Sequence, residues 1–456
     1  MISTRMATMT DLPDLVDMTN YSQSEIEKLG QDGMLLDINA AIDQYDEDGS
    51  IKAFWAEYFP TFLGLNLNEE GKMYTIPWLT TRYPVDGTTF NGWSHGISIR
   101  KDWLDKLEIE YKPVITAEEF KDICVAFREG DANGNGIADE VIALDPTSVS
   151  WPHSNLMTAF GFNKWISFNA DTEEVICAWY TEGLKGYISY IKELIDAEVF
   201  DVSIIGHGEV ASTLISGNRA GAISDMHNET WVEPTVADEN AEYLPVIITT
   251  DYGTYMNFSE KYGTNIVASA IPAVSENAEA VIDYMDWMFN PENMDFYMYG
   301  LEGEVATRNE KGAWTYLPKE EYTVDMSISA LNLGLLEDAR ALPRWRVNKV
   351  MREGITEYSK NPLKNDFLGQ VYDRKLDFEI LCHELPTARP TQEEIDKLSA
   401  IENTLVTYMS ETFSKLIVGD YSIEDYDSYV AEMEELGLKD YYEIQKNQIE
   451  RFLNRK

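Results

Sequence analysis

Apolar residues recur in two rhythms along the first two-thirds of the chain and in one rhythm after that. Phe120, Ile123, Cys124 and Phe127 fall at i, i+3, i+4 and i+7, which is one face of an α-helix. Thr116 and Glu119 stand ahead of them at capping-box spacing, and Gly130 follows where a helix commonly ends. Leu184, Tyr187, Ile188, Ile191, Leu194 and Ile195 predict a second amphipathic helix. Val281, Ile282, Met285, Met288 and Phe289 predict a third, with Pro291 as its stop. Helical spacing also runs around Ile26–Leu36, and Asp102–Leu107 opens a short helix that Pro113 separates from the next. Between these lie short β-type runs at Val141–Leu144, Leu244–Ile248 and Asn265–Ile271. The Thr-, Tyr-, Trp-, Pro- and Gly-rich stretch 71–100 reads as strands and loops. From Thr391, which makes another capping box with Glu394, the pattern is helical to the end. Strands alternating with helices, followed by helices alone, predict an α/β protein with a helical C-terminal region. The 456 residues exceed one ordinary core. With no internal repeat or low-complexity linker, two interwoven lobes are expected.

Charge narrows the partners. Against 36 Lys and Arg stand 80 Asp and Glu, a formal net charge of −44. Such a surface repels phosphate backbones and anionic headgroups, so no nucleic acid or membrane-surface partner is expected. The acids are dispersed, with no block that reads as a disordered tail. No apolar run approaches the roughly 18–20 residues that span a bilayer. The first residues, MISTRMATMTDLPDLV, show no charged segment followed by an apolar one. Cys124, Cys177 and Cys382 form no CxxC or metal spacing and read as small buried apolar residues.

The stretch DANGNGIADE, 131–140, carries candidate metal chemistry. Asp131, Asn133 and Asn135 sit at positions 1, 3 and 5 of a calcium-type loop, and Gly136 sits at the sharp turn. The carbonyl of Ile137 serves at position 7, and Asp139 and Glu140 close the sphere. Calcium takes six to eight oxygen ligands, which alternate residues of a tight loop supply. The loop departs from an EF-hand by placing acids at positions 9 and 10, none at 12, and a strand after it. A single unpaired loop points to a structural ion rather than a switch.

Enzyme signatures are lacking. The histidines at 95, 153, 207, 227 and 383 make no HExxH or paired metal spacing, and GxSxG, P-loop and GxGxxG patterns are absent. With 80 acids a carboxylate pair at glycosidase separation arises by chance, so it is no evidence for hydrolysis.

The segment SIRKDWLDKLEIEYKPVITAEEFKDICVAFREGDANGNGIADEVIAL resembles a signature stretch of bacterial family 1 extracellular solute-binding proteins. DYMDWMFNPENMDFYMYGLEGE at 283–304 and the helices of 407–452 are similar to further parts of that family. The resemblance implies a two-lobed, maltose-binding-type fold of periplasmic-binding-protein kind. Its implied work is capturing a carbohydrate, an oligosaccharide, and delivering it to ABC transporter permease subunits, as a monomer and without catalysis. Members that bind alginate and other oligosaccharides carry the same loop, which implies structural Ca2+ on Asp131, Asn133, Asn135, Ile137, Asp139 and Glu140. Family members begin with a lipoprotein signal and a strand, helix and strand of the first lobe, and Met1 stands about where these elements end. The full-length protein is therefore expected at the cell surface on a lipid anchor, or in the periplasm. A secreted, calcium-containing glycoside hydrolase is the alternative, and a calcium-dependent adhesion module would show repeats that are absent.

From these readings residues 1–98 and 268–318 are expected to form the first lobe. Residues 99–267 and 319–456 are expected to form the second, with the loop 131–140 and the C-terminal helices. Sugars offer apolar C–H faces to aromatic rings and hydroxyls to polar side chains. Trp78 and Trp93 lie in the Gly- and Thr-rich loops of 71–100, Trp151 follows ALDPTSVS, and Trp231 follows GAISDMHNET. These four are the candidate stacking platforms. Asp225 and Glu302 are polar candidates. Arg344, in the basic stretch ARALPRWR, is the candidate for a ligand carboxylate. Trp55, Trp103, Trp165, Trp179 and Trp287 are expected in the core or on helix faces.

Overall fold

The computed structural model describes the chain apart from residues 1–4, 7, 19–20, 60–61, 82–93, 150–152, 227–231, 259–265, 291–292, 294–295, 297–300, 305, 309–313, 318–320, 324–343, 348–360, 383–384 and 455–456. At 58, 65, 77–81, 266–268, 314–316 and 344–347 it describes the backbone alone. Strand β1 (Val16–Asp17) leads to helices α1 (Gln23–Gln31), α2 (Ile38–Tyr45) and α3 (Ser50–Tyr58). Strands β2 (Ile76–Thr81), β3 (Ser94–His95), β4 (Ile97–Arg100) and β5 (Val114–Thr116) come next, then helix α4 (Ala117–Glu129). Strands β6 (Val141–Ala143), β7 (Ile166–Asn169) and β8 (Glu174–Cys177) precede helix α5 (Glu182–Asp196). Then follow β9 (Ala220–Ile223), β10 (Tyr243–Thr250), β11 (Gly253–Phe258), β12 (Ile266–Ala270) and helix α6 (Ala278–Phe289). Strands β13 (Ala306–Arg308), β14 (Trp314–Tyr316) and β15 (Arg344–Val347), helix α7 (Pro362–Tyr372) and strand β16 (Glu379–Cys382) lead to the helical end. That end is α8 (Gln392–Val418), α9 (Tyr426–Glu435) and α10 (Leu438–Leu453).

Local signals start and stop the helices. The Thr116 and Thr391 boxes both form, each threonine accepting from the glutamate's N–H three residues on while that carboxylate returns the bond. Ser22 and Glu25 repeat the device at α1. Gly419, at φ 86°, and Gly437, at φ 105°, end α8 and start α10 in the left-handed region that glycine tolerates.

The strands form two main sheets. The first runs β1-β12-β2-β15, antiparallel except for the parallel β2–β15 pair. Ile38, Ile42, Ile51, Trp55, Phe62, Met285 and Phe289 from the neighbouring helices form its core. The second runs β6-β9-β4-β10-β11-β16-β7-β8, with β3 beside β11 and β5 beside β10. One core of this lobe gathers Trp103, Phe120, Phe127, Tyr187, Ile191 and Phe413, and another gathers Phe258, Phe367, Val371 and Ile380. The expected core tryptophans Trp55, Trp103, Trp165 and Trp179 are buried, and Trp287 is half-buried against Tyr284. The three cysteines are free and buried, and burial pushes the Cys177 thiol up to about 12.

Sheet membership shows where the chain changes lobe. It passes from the first sheet to the second between β2 and β3, returns between β11 and β12, and passes again between β15 and β16. Strand pairing therefore draws the division differently from the sequence expectation. Residues 94–98 join the second sheet, and 266–267 join the first. Residues 344–347, expected with the second lobe, pair in parallel with β2 of the first. Register between strands so distant in sequence is a tertiary choice that local pattern does not record. Helix α8 also meets both lobes, since its Glu402 accepts from Ser24 at 3.1 Å and its Gln392 from Gln31 at 2.7 Å. Beside this contact Arg389 is buried, donating to Asn66 and Thr75 of the first lobe.

Arg100 locks the entry to the second lobe. It is fully buried, forks onto both oxygens of Asp102 at 2.8 and 2.6 Å, donates to Asn218 at 2.6 Å and lies 4.3 Å from the Trp103 ring centre. Arg100→Met keeps the length of the side chain and removes the fork and the charge. The expected loss is about 3 kcal/mol of unfolding free energy, since the partner carboxylate keeps its desolvation and loses its cation. Urea unfolding followed by tryptophan fluorescence measures it.

Candidate functional site

Two features stand out, the loop 131–140 and the segments flanking Trp151 and Trp231. Loop 131–140 starts where α4 ends and leads into β6. Asp131, Gly134 and Gly136 take positive φ of 45°, 75° and 82°, the tight reversal that the two glycines permit. Gly136 N–H donates to both oxygens of the Asp131 carboxylate at 3.1 Å, closing the loop from its first to its sixth position. Asn133 and Asn135 each accept from the backbone two residues on, at 2.9 and 2.7 Å. Their amide nitrogens both reach Asp139 Oδ1, at 2.9 and 3.1 Å. Glu140 is buried and accepts from the Asn133 and Asp139 N–H groups at 2.9 and 3.1 Å. From outside, Lys106 donates to the carbonyls of Asp131 and Ala132, and Arg219 pairs with Asp139 at 3.0 Å.

All six expected ligand residues thus lie in one hydrogen-bonded turn. Their donors are three carboxylates, two amides and the Ile137 carbonyl, an all-oxygen set of the kind calcium takes. Among the described residues no three His, Cys, Asp or Glu side chains form a ready metal cluster. The set instead adds two amides and a carbonyl to its carboxylates. On donor chemistry and loop closure the residues fit a hard cation.

The second feature is a chain of buried amides running from the lobe boundary. Asn163 donates to the Cys382 carbonyl at 3.0 Å and to Asn257 at 3.2 Å. Asn257 donates to Asn155 at 2.9 Å, and Asn155 to the Ser224 hydroxyl at 3.0 Å. Ser94 and Cys382 both pair with Phe258, next to the points where the chain changes lobe. The network therefore joins that boundary to the segments just after Trp151 and just before Trp231.

The other expected contacts are placed unevenly. Trp93, Trp151 and Trp231 lie outside the described residues. Trp78 and Arg344 are partners in the parallel β2–β15 register, with only their backbone described. Asp225 is half-buried two residues beyond β9, and its carbonyl accepts from Ser98 at 2.6 Å. Glu302 is exposed and accepts from Arg308 N–H at 3.1 Å, so its carboxylate braces the β13–β14 hairpin. The sequence reading missed Asn155, Asn163, Ser224 and Asn257. Single asparagines in strands and loops carry no spacing signal, and their connection exists only in the folded sheet.

No family model matches the chain. A curated relative, the fructooligosaccharide ABC transporter substrate-binding protein FusA of Streptococcus pneumoniae serotype 4, is 23% identical over 486 aligned residues, covering 97% of this chain and 80% of that protein. FusA in complex with kestose has the same fold at TM-score 0.75 and 19% identity, over 100% of this chain and 91% of that one. An EF-hand mutant of FusA in complex with fructo-nystose matches at TM-score 0.72, 18% identity, 100% of this chain and 91% of that one. The alginate-binding protein AlgQ2 without calcium ion matches at TM-score 0.73, 19% identity, 98% of this chain and 88% of that one. The fold is that of the two-lobed solute-binding proteins. The chain is thus similar in sequence to one ABC transporter substrate-binding protein, and it shares its fold with the solute-binding proteins of known structure. The curated relative is named as the substrate-binding protein of an ABC transporter. Among the described residues no helix is long and apolar enough to cross a membrane.

Glu140→Ala removes the acceptor of two backbone N–H groups in a buried position. We expect a loss of about 2–3 kcal/mol, because both donors keep their desolvation cost. The test is thermal unfolding in chelator, where the loss appears without any metal.

Proposed function

We propose that this protein is the substrate-binding component of an ABC importer, capturing an oligosaccharide between its two lobes and delivering it to membrane permease subunits. One observation carries the reading: a sequence match to a fructooligosaccharide-binding transporter component that runs through 97% of the chain. The two sheets joined by three chain crossings support it, because ligand held between lobes can couple binding to their closure. In this reading the protein acts outside the cytoplasmic membrane, held there by a lipid anchor.

Trp78, Trp93, Trp151 and Trp231 are the proposed stacking residues, with Asp225 and Arg344 as polar contacts. Glu302 is the weaker polar candidate, since its carboxylate is engaged within its own hairpin. The loop 131–140 holds a structural Ca2+ in this reading, on Asp131, Asn133, Asn135, the Ile137 carbonyl, Asp139 and Glu140. The ion supplies charge neutralisation for three carboxylates within one turn, and the chain's own hydrogen bonds set the turn's shape.

Calorimetry against neutral and acidic oligosaccharides is expected to show saturable binding of one class, with no release of reducing ends on long incubation. Steady release would replace this reading with a hydrolase. Trp151→Ala or Trp231→Ala is expected to weaken binding about tenfold, the size of one lost stacking contact.

For the loop, added calcium is expected to raise the melting temperature by about 3 °C over chelator-treated protein, at a hundredfold excess over its Kd. Asp131→Ala should abolish that shift. Indifference of the wild type to both calcium and chelator would remove the ion from the proposal.

A further inference from the structure

We infer that Arg219 is a built-in counter-cation of the loop 131–140, a positioning residue that holds Asp139 in place and weakens the loop's grip on calcium. The inference rests on the proposed calcium site and goes beyond it by assigning a residue outside the loop that sets the ion's affinity. Arg219 stands one residue before β9, which pairs in parallel with β6, the strand into which the loop runs. That pairing carries it to the loop's exit from 80 residues away.

Backbone and side chain both fix it there. Arg219 Nε donates to the Asp139 carbonyl at 3.1 Å and pairs with Asp139 Oδ2 at 3.0 Å. In return the Arg219 carbonyl accepts from Val141 N–H at 2.8 Å, one residue beyond Glu140. Another arm of the guanidinium, Nη2, reaches Asp201 Oδ2 at 3.2 Å. Asp201 is itself held, accepting from the Ser203 N–H at 3.0 Å and the Ser203 hydroxyl at 2.7 Å. Arg219 is thus a bridge between two carboxylates on separate segments, one of them an expected calcium ligand.

Charge count gives the sign. The affinity of such loops for calcium is tuned by the number of ligand charges and by the rigidity of the site. Asp131, Asp139 and Glu140 bring three carboxylates. Those of Asp131 and Glu140 accept from neutral backbone N–H groups, and among the described residues only Asp139 of the three is paired with a cation. Lys106, at the loop's entry, donates to carbonyls and takes no carboxylate of the loop. The side chains of Arg219 and Asp139 are 32% and 21% exposed, so water and salt screen the pair only in part. A calcium ion in the loop therefore shares Asp139 with Arg219 and is repelled by its charge. The same pair holds the turn together in chelator, so Arg219 trades ion affinity for a loop that keeps its shape.

The test titrates calcium into chelator-stripped wild type, Arg219→Gln and Arg219→Lys by calorimetry. Glutamine removes the charge and keeps an amide that can donate to the Asp139 carbonyl, while lysine keeps the charge. Arg219→Gln is expected to bind calcium about tenfold more tightly than wild type, the size of one partly screened charge interaction. Arg219→Lys should stay within about threefold of wild type. In chelator Arg219→Gln should melt below wild type, so its calcium-induced shift grows. A role in loop structure alone predicts the reverse, a loosened loop that binds calcium more weakly. Equal or weaker binding by folded Arg219→Gln overturns the inference and leaves the calcium site standing. If Arg219→Gln does not fold, 15N NMR of the wild-type arginine Nε–H groups decides. Calcium must then move the Arg219 signal, and an unmoved signal overturns the inference. If neither wild type nor Arg219→Gln takes up calcium, the calcium reading has failed and this inference falls with it.

Discussion

The long helix α8 is fastened to both lobes, and by different means at its two ends. Leu405, Met409, Phe413, Leu416 and Ile417 from its second half are part of the second lobe's apolar core. Its first half meets the first lobe through polar bonds, Gln392 to Gln31 and Glu402 to Ser24. Buried apolar contact resists separation in proportion to area, whereas exposed or half-buried hydrogen bonds exchange with water at little net cost. The C-terminal layer therefore belongs energetically to the second lobe and touches the first through a contact that can part. Arg451 reinforces this by gripping Glu394 with two bonds of 2.6 Å, which ties α10 to the start of α8.

Buried charge marks the first-lobe side of that contact. Arg389 is buried and reaches Asn66 and Thr75, while burial holds the Glu27 carboxyl above its usual range despite the pull of Arg389. No ion pair joins Glu27 and Arg389 among the described residues. An uncompensated cation costs more in a dry site than in water, so a small opening here is less unfavourable than in an apolar core.

Legibility in the sequence followed the range of the interactions. Both threonine capping boxes and the Phe120–Phe127 face were readable because partners three or four residues apart decide them. The loop 131–140 was readable for the same reason, its donors being consecutive. Sheet order was not. Strand β15 read as a basic stretch aimed at a ligand, while its backbone pairs with β2 from more than two hundred residues away. The amide chain from Asn163 to Ser224 was equally hidden, since it joins residues that no periodicity relates.

The charge of −44 takes on a different meaning once the acids are placed. Glu25, Glu119 and Glu394 cap helices, Asp37 and Asp201 cap others, and Asp131, Asp139 and Glu140 share one loop. Apart from Asp139, which takes the two asparagine amides and Arg219, these carboxylates accept from backbone N–H groups, and the helix-capping ones also draw on the partial positive charge of helix N-termini. These eight of the 80 acids are structural and lie in both lobes. A neutral, hydroxyl-rich ligand meets little repulsion from such a field, while a polyanionic one must be offset by local cations. The basic stretch around Arg344 is where that offset would have to come from, and β15 places its backbone beside Trp78. Under the proposed function, discrimination between neutral and acidic sugars is therefore a question to put to the β2–β15 pair, where Trp78 and Arg344 stand in register.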